Sequence, residues 1–189
     1  MLRIRCHLGL VRQILCVALS LSLVAAPEVA AKDIAVVDSP EGVLRVTVSL
    51  NGEGRVAYRV DRKGVPVVRE SRLGFILADA PKLERNFVLV GSDRRSADTT
   101  WEQPWGERRF VRDRHNELRV RLRESKAPMP AAAARELTIV FRVFDDGLGF
   151  RYEFPDQEVL RQVNITDELT EFDLADAATA WWIPAGEWN

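Results

Sequence analysis

The sequence predicts an all-β protein, a large antiparallel β-sandwich preceded by a signal peptide. Three observations predict it. Apolar residues recur at every second position through most of the chain after residue 31, the period of strands with one buried face. Asn, Asp and Gly punctuate those runs where the chain must reverse. No stretch sustains the 3.6-residue period of an amphipathic helix. The expected strand number, roughly ten or more, exceeds that of an immunoglobulin module.

Residues 1–31 read as a leader rather than as structure. Arg3, Arg5 and Arg12 form a positive n-region, Ile14 to Ala26 an apolar h-region, and Val29-Ala30-Ala31 an A-x-A-like cleavage site. The apolar run is short for a membrane span and is followed by Pro27 and Glu28; an uncleaved anchor is the alternative reading. Cys16 stands near the start of the run, not at its end, which argues against a lipid-modified cysteine. Export to the periplasm or medium, with no membrane attachment after cleavage, is the expectation. Both cysteines, Cys6 and Cys16, fall in the leader, so the mature domain, residues 32–189, has no disulfide, thiolate metal site or thiol nucleophile. After cleavage His115 is the remaining histidine, and no G-x-S-x-G elbow accompanies it. With 27 basic and 28 acidic residues and a net charge of -1, no field favours nucleic acid or an anionic membrane.

In chain order, Leu44, Val46, Val48 and Leu50 alternate up to Asn51-Gly52-Glu53-Gly54, and Val56, Tyr58 and Val60 resume the pattern, which predicts a hairpin. Asp61-Arg62-Lys63-Gly64 is a second turn, and Val65-Pro66-Val67-Val68 reads as an edge strand or a strand entry because proline cannot donate to a ladder. Leu73 to Leu77 and Phe87 to Val90 are short strand candidates. From Gly91 to Asn116 the alternation fails, and this polar, Trp-bearing stretch is expected to be a long loop. Leu118, Val120 and Leu122 restore the alternation, and Pro128 to Ala134 reads as a surface connection. Leu137 to Val143 and Leu148 to Phe154, around Asp145-Asp146-Gly147, predict a further hairpin. Val140 and Phe144 make its first strand apolar on both faces, as in the centre of a two-sheet stack. Asn164 to Leu174 is less regular. Trp181-Trp182-Ile183-Pro184 and Glu187-Trp188-Asn189 are unlike a frayed terminus, and read as the interior of a longer chain.

Acids are plentiful, but most fall on expected turns or solvated faces, and no metal-binding or phosphate-loop pattern occurs. No catalytic residue is assigned. The candidates are instead Trp101 and Trp105 with Glu107, where rings beside polar groups suit either a sugar face or an interface. Asn116 and Glu117, behind His115, either close the loop as a polar turn or join that surface. Trp181 and Trp182 need something to pack on.

Read together, these segments resemble the N-terminal domain of glycoside hydrolase family 97. The resemblance lies in Ser39-Pro40-Glu41-Gly42, in Arg94-Arg95-Ser96 through Trp101, Trp105-Gly106-Glu107 and Asn116-Glu117-Leu118, and in Phe141 to Gly147 with Phe150 to Pro155. Glu168 to Phe172 and Ala180 to Pro184 complete it in order. The resemblance implies a mutarotase-like β-supersandwich from an exo-acting bacterial α-glucosidase or α-galactosidase. It further implies a catalytic (β/α)8 barrel carrying the acid and the base or nucleophile, and α-linked oligosaccharides as substrates. It also implies an active-site calcium held largely by glutamates, one of them late in the sandwich. That one falls just beyond Asn189, with Glu187 the nearest here, so no complete calcium site is expected in this segment.

The function expected is thus a non-catalytic domain that packs on the missing barrel and helps shape its active site, inactive alone. A freestanding carbohydrate-binding sandwich is the alternative, and a mutarotase-like enzyme is weakened by the single histidine.

Overall fold

The alternating segments pair with their neighbours in sequence, as short turns dictate, and this produces two meanders. The structure is a computed structural model and describes residues 31–125, 134–177 and 179. The expected leader, the expected connection after Pro128 and the Trp-rich end therefore lie outside the described residues, apart from Ala31, Ala134 and their like at the margins. Among the described residues there are ten strands, one 3₁₀ turn over Glu158–Leu160 and no α-helix.

The first sheet has the order β1-β2-β3-β4, formed by Lys32–Asp38, Leu44–Leu50, Val56–Arg62 and Val65–Arg72. The second has the order β6-β7-β8-β9, formed by Phe87–Glu102, Phe110–Glu124, Glu136–Val143 and Leu148–Glu153. A short two-stranded pair joins β5 (Phe75–Leu77) with β10 (Ile165–Glu168). All pairings are antiparallel. The β2–β3 hairpin closes as expected, with Leu50 opposite Val56 and the Asn51 side chain accepting the amides of Glu53 and Arg55 at 3.0 and 2.9 Å. Gly54 is required there twice over. Its φ is +68°, and a Cβ would come within 2.6 Å of the Phe87 amide nitrogen. That close approach lets Gly54 accept the Phe87 N–H at 2.9 Å and ties the first sheet to the start of β6.

The sheets stack on their alternating apolar faces. Val46, Val48, Tyr58 and Val60 from the first meet Leu118, Val120, Ile139 and Phe141 from the second, with Leu73, Leu83 and Phe87 in the same core. Each such side chain contributes about 1.5–3 kcal/mol by leaving water. Tyr58 lies 5.9 Å from Phe141, ring to ring, and satisfies its hydroxyl on the Glu171 carbonyl at 2.9 Å. Burial pushes the pKa of that phenol up to about 12.

Three expectations need correction or refinement. Residues 91–116 are not a loop: β6 and β7 run paired through them, from Phe87 opposite Glu124 to Glu102 opposite Phe110. The ribbon has no apolar alternation because its outer half is solvated on both faces. The hairpin at Asp145-Asp146 forms, closed by the Phe144 N–H on the Gly147 carbonyl at 2.8 Å, but Gly147 does not take a left-handed conformation. Val140 is buried on the outward face of β8, an interior strand of its sheet, and its neighbours on that face are charged rather than apolar. Its ladder partners are Arg119 and Arg151, and both bind Glu153.

Candidate functional site

The ladder between β7 and β8 stops at Asn116 opposite Val143, while β6 and β7 continue together to Glu102 and Phe110. Beyond Asn116 the hairpin is therefore a two-stranded arm leaving the sandwich. Its shaft is held by the backbone ladder and by cross-strand charge pairs. Arg112 grips Asp98 through two 2.7 Å hydrogen bonds, and Arg109 donates to Glu102 at 2.7 Å. Planar guanidinium forks suit this two-pronged recognition of a carboxylate. The Arg112 fork holds the Asp98 carboxyl below its ordinary range.

At the tip the chain reverses through residues 103–109, where Gln103 N–H meets the Arg109 carbonyl at 2.9 Å and the Gln103 side chain binds the Arg108 carbonyl. Three rings stand bare in water there: Trp101 is 50% exposed, Trp105 82% and Phe110 59%. Glu107 is exposed in the same turn. The Arg109 guanidinium sits 5.3 Å from the centre of the Phe110 ring. The tip thus offers apolar faces beside carboxylate, amide and guanidinium groups, a surface fit for a sugar or for a protein interface.

Asn116 and Glu117 do not belong to that tip. Ser96 faces Asn116 across the ladder, and five residues of strand separate it from Trp101, about 17 Å at about 3.4 Å each. Nor do they form a turn, since both are interior to β7. Glu117 faces outward and accepts from Arg142 at 3.0 Å. Asn116 donates to the Asp38 carbonyl at 2.8 Å and accepts from the Ser96 hydroxyl at 2.7 Å. His115, expected in a loop, is buried in the strand, with Nδ1 on the Asp113 carboxylate and its ring 5.1 Å from Phe144. Trp181 and Trp182 lie outside the described residues.

Reading the residues alone missed the company Asn116 keeps. Arg114 donates to the Glu41 carboxylate at 2.7 Å, the Glu41 N–H donates to Asp145 at 2.8 Å, and Arg94 donates to the Val36 carbonyl at 2.7 Å. The Ser39 hydroxyl and the Glu41 amide, with the charge of Arg114, hold the Asp145 carboxyl below its ordinary range. Three stretches far apart in sequence, at residues 39–42, 94–96 with 114–117, and 144–147, therefore meet at the foot of the arm.

A second surface is a cleft of about 540 Å³ between the sheets, lined by Tyr58, Val68, Phe150, Tyr152 and Phe172 among others. The segment after β10 runs beside it, with Glu171 paired to Arg72 and Asp173 to Arg69.

Each described carboxylate with a displaced pKa is displaced downward, as at Asp33 by Arg59, Asp38 by Arg45, Glu84 by Arg85 and Glu171 by Arg72. A glycosidic general acid needs the opposite shift. Among the described residues no three His, Cys, Asp or Glu side chains come together in a group that could hold a metal ion. Glu187 lies outside the described residues.

The family model described as glycosyl-hydrolase 97 N-terminal matches residues 37–189. A probable retaining alpha-galactosidase of Streptomyces bingchenggensis is 30% identical over 128 residues, which cover 68% of this chain and 18% of that protein. Solved structures of a glycoside hydrolase family 97 enzyme from Pseudoalteromonas sp. strain K8, in complex with panose or with acarbose, superpose with a TM-score of 0.72 at 37% identity. The match covers 80% of this chain and 22% of that enzyme. A beta-arabinopyranosidase structure matches with a TM-score of 0.65 at 26% identity, over 78% of this chain and 24% of its own. The chain thus spans about a fifth of the length of these relatives.

Proposed function

The chain belongs to the glycosyl-hydrolase 97 N-terminal family, and from that premise we propose that it is the non-catalytic sandwich of an exported, exo-acting α-glycoside hydrolase. In this reading it packs on a catalytic (β/α)8 barrel, helps shape the active site, and serves an enzyme acting on α-linked oligosaccharides. Residues 1–31 act as the cleaved leader that delivers it to the periplasm or medium, and the two meanders are part of a larger mutarotase-like supersandwich. Calcium belongs to the whole enzyme.

The observation that carries the reading is the arm. A two-stranded ribbon holding Trp101, Trp105 and Phe110 bare in water exposes apolar area that an interface or a bound sugar would cover. The ionised, arginine-held carboxylates support a role other than proton donation. The panose and acarbose complexes belong to an enzyme of which this chain matches 22%, which supports a contributing role rather than a complete one.

The test is kinetic. In an enzyme carrying this domain together with its barrel, Trp101→Ala with Trp105→Ala is expected to lower kcat/KM on an α-linked oligosaccharide by about tenfold or more, roughly 1.4 kcal/mol. The melting temperature is expected to move little. Unchanged kcat/KM would remove the arm from the active site, and hydrolysis of an α-glucoside by the 189-residue chain alone would overturn the non-catalytic reading.

A further inference from the structure

A two-stranded ribbon is marginal by itself in water, so the direction of this arm has to be decided at its foot. The foot is held on both faces. On the inner face Asn116 binds the Asp38 carbonyl at 2.8 Å, Arg94 binds the Val36 carbonyl at 2.7 Å, and Arg114 reaches Glu41 at 2.7 Å. On the outer face His115 lies buried against Phe144, 5.1 Å ring to ring. The β8–β9 turn thus meets the arm directly through Phe144 on the outer face and, on the inner face, braces its partner Glu41 through Asp145, which accepts the Glu41 N–H at 2.8 Å. Arg94, Arg114 and Asn116 take partners far away in sequence, and those contacts lie where the third strand stops.

We propose that the end of β1, the β1–β2 turn and the β8–β9 turn form a seat that sets the direction of the arm, with Asn116 and Arg114 as positioning residues. Neither residue touches the tip; each acts through the ribbon. The proposal deepens the assignment of the arm to an active-site rim and rests on it for its functional consequence alone.

Two measurements separate the seat from that assignment. In the 189-residue chain, Asn116→Ala and Arg114→Ala are expected to speed hydrogen exchange of amides in residues 97–100 and 111–114 by about tenfold, with amides of Val120 and Ile139 within about twofold. Arg114→Lys, which keeps the charge for Glu41, restores most of the protection. In the enzyme with its barrel, the same alanine variants lower kcat/KM with little change in melting temperature, and Arg114→Lys recovers it. Unchanged exchange in the arm, or equal acceleration throughout the sandwich, overturns the seat. If exchange responds as expected while Trp101→Ala and Trp105→Ala leave kcat/KM intact, the seat stands and the active-site assignment falls.

Discussion

The two ends of the β6–β7 hairpin use the same chemistry in opposite surroundings. At the sandwich end, Phe87 faces Glu124, and Glu124 holds Arg135 through two 2.7 Å hydrogen bonds, with side chains only 2% and 3% exposed. Arg135 also donates to the carbonyls of Pro81 and Lys82 at 2.6 and 3.1 Å, so every nitrogen of this buried guanidinium has an acceptor. At the arm end, Asp98 and Arg112 make the same fork with more than half of each side chain in water. The difference teaches that an Arg–carboxylate fork is not one interaction. Away from water, removing one partner leaves a charge with nothing to solvate it; in water the lost partner is replaced by solvent.

The comparison can be broken or sharpened by substitution. Glu124→Ala strands the Arg135 guanidinium and is expected to cost about 3–5 kcal/mol. Urea denaturation would show it as a fall in midpoint, and an unchanged midpoint would contradict the buried role. Leu118→Ala, in the core just inside the foot of the arm, is expected to cost about 2–4 kcal/mol through lost burial and a residual cavity. A cost below that range would mean that the sandwich closes over the gap there. Asp98→Asn should shift the melting temperature by no more than about 2 °C. Its sign with pH follows from Arg112, which lowers the Asp98 pKa below the ordinary 3.8. The contribution is complete above that value and fades as pH falls through the depressed one, so melts of wild type and Asp98→Asn should converge in acid. Divergence at low pH would count against the pair.

Arginine abundance carries no functional message in the sequence alone. In the fold it has a consistent use: Arg45 on Asp38 and Arg112 on Asp98 are forks between neighbouring strands, and Arg59 on Asp33 is one that reaches over β2 from β3 to β1. The arm itself was legible by this route and not by hydropathy. Opposite charges sit symmetrically about the tip, with Asp93 facing Arg119, Arg95 facing Glu117 and Asp98 facing Arg114. A search for apolar alternation passes over such a ribbon because neither face of its outer half is buried.

By itself the sequence determined the all-β class, the β2–β3 and β8–β9 hairpins, the edge position of β4 with Pro66, and the core faces through Val46, Val120 and Ile139. Those follow from local rules, since alternation and turn residues act between neighbours in the chain. Only the tertiary structure decided that Ser39 to Gly42, Asn116 and Phe144-Asp145 share one corner, and that Asn116 stands about 17 Å along the ribbon from Trp101. Long-range hydrogen bonds such as Asn116 to Asp38 leave no periodic trace, because they depend on how two separately formed sheets come to rest against each other.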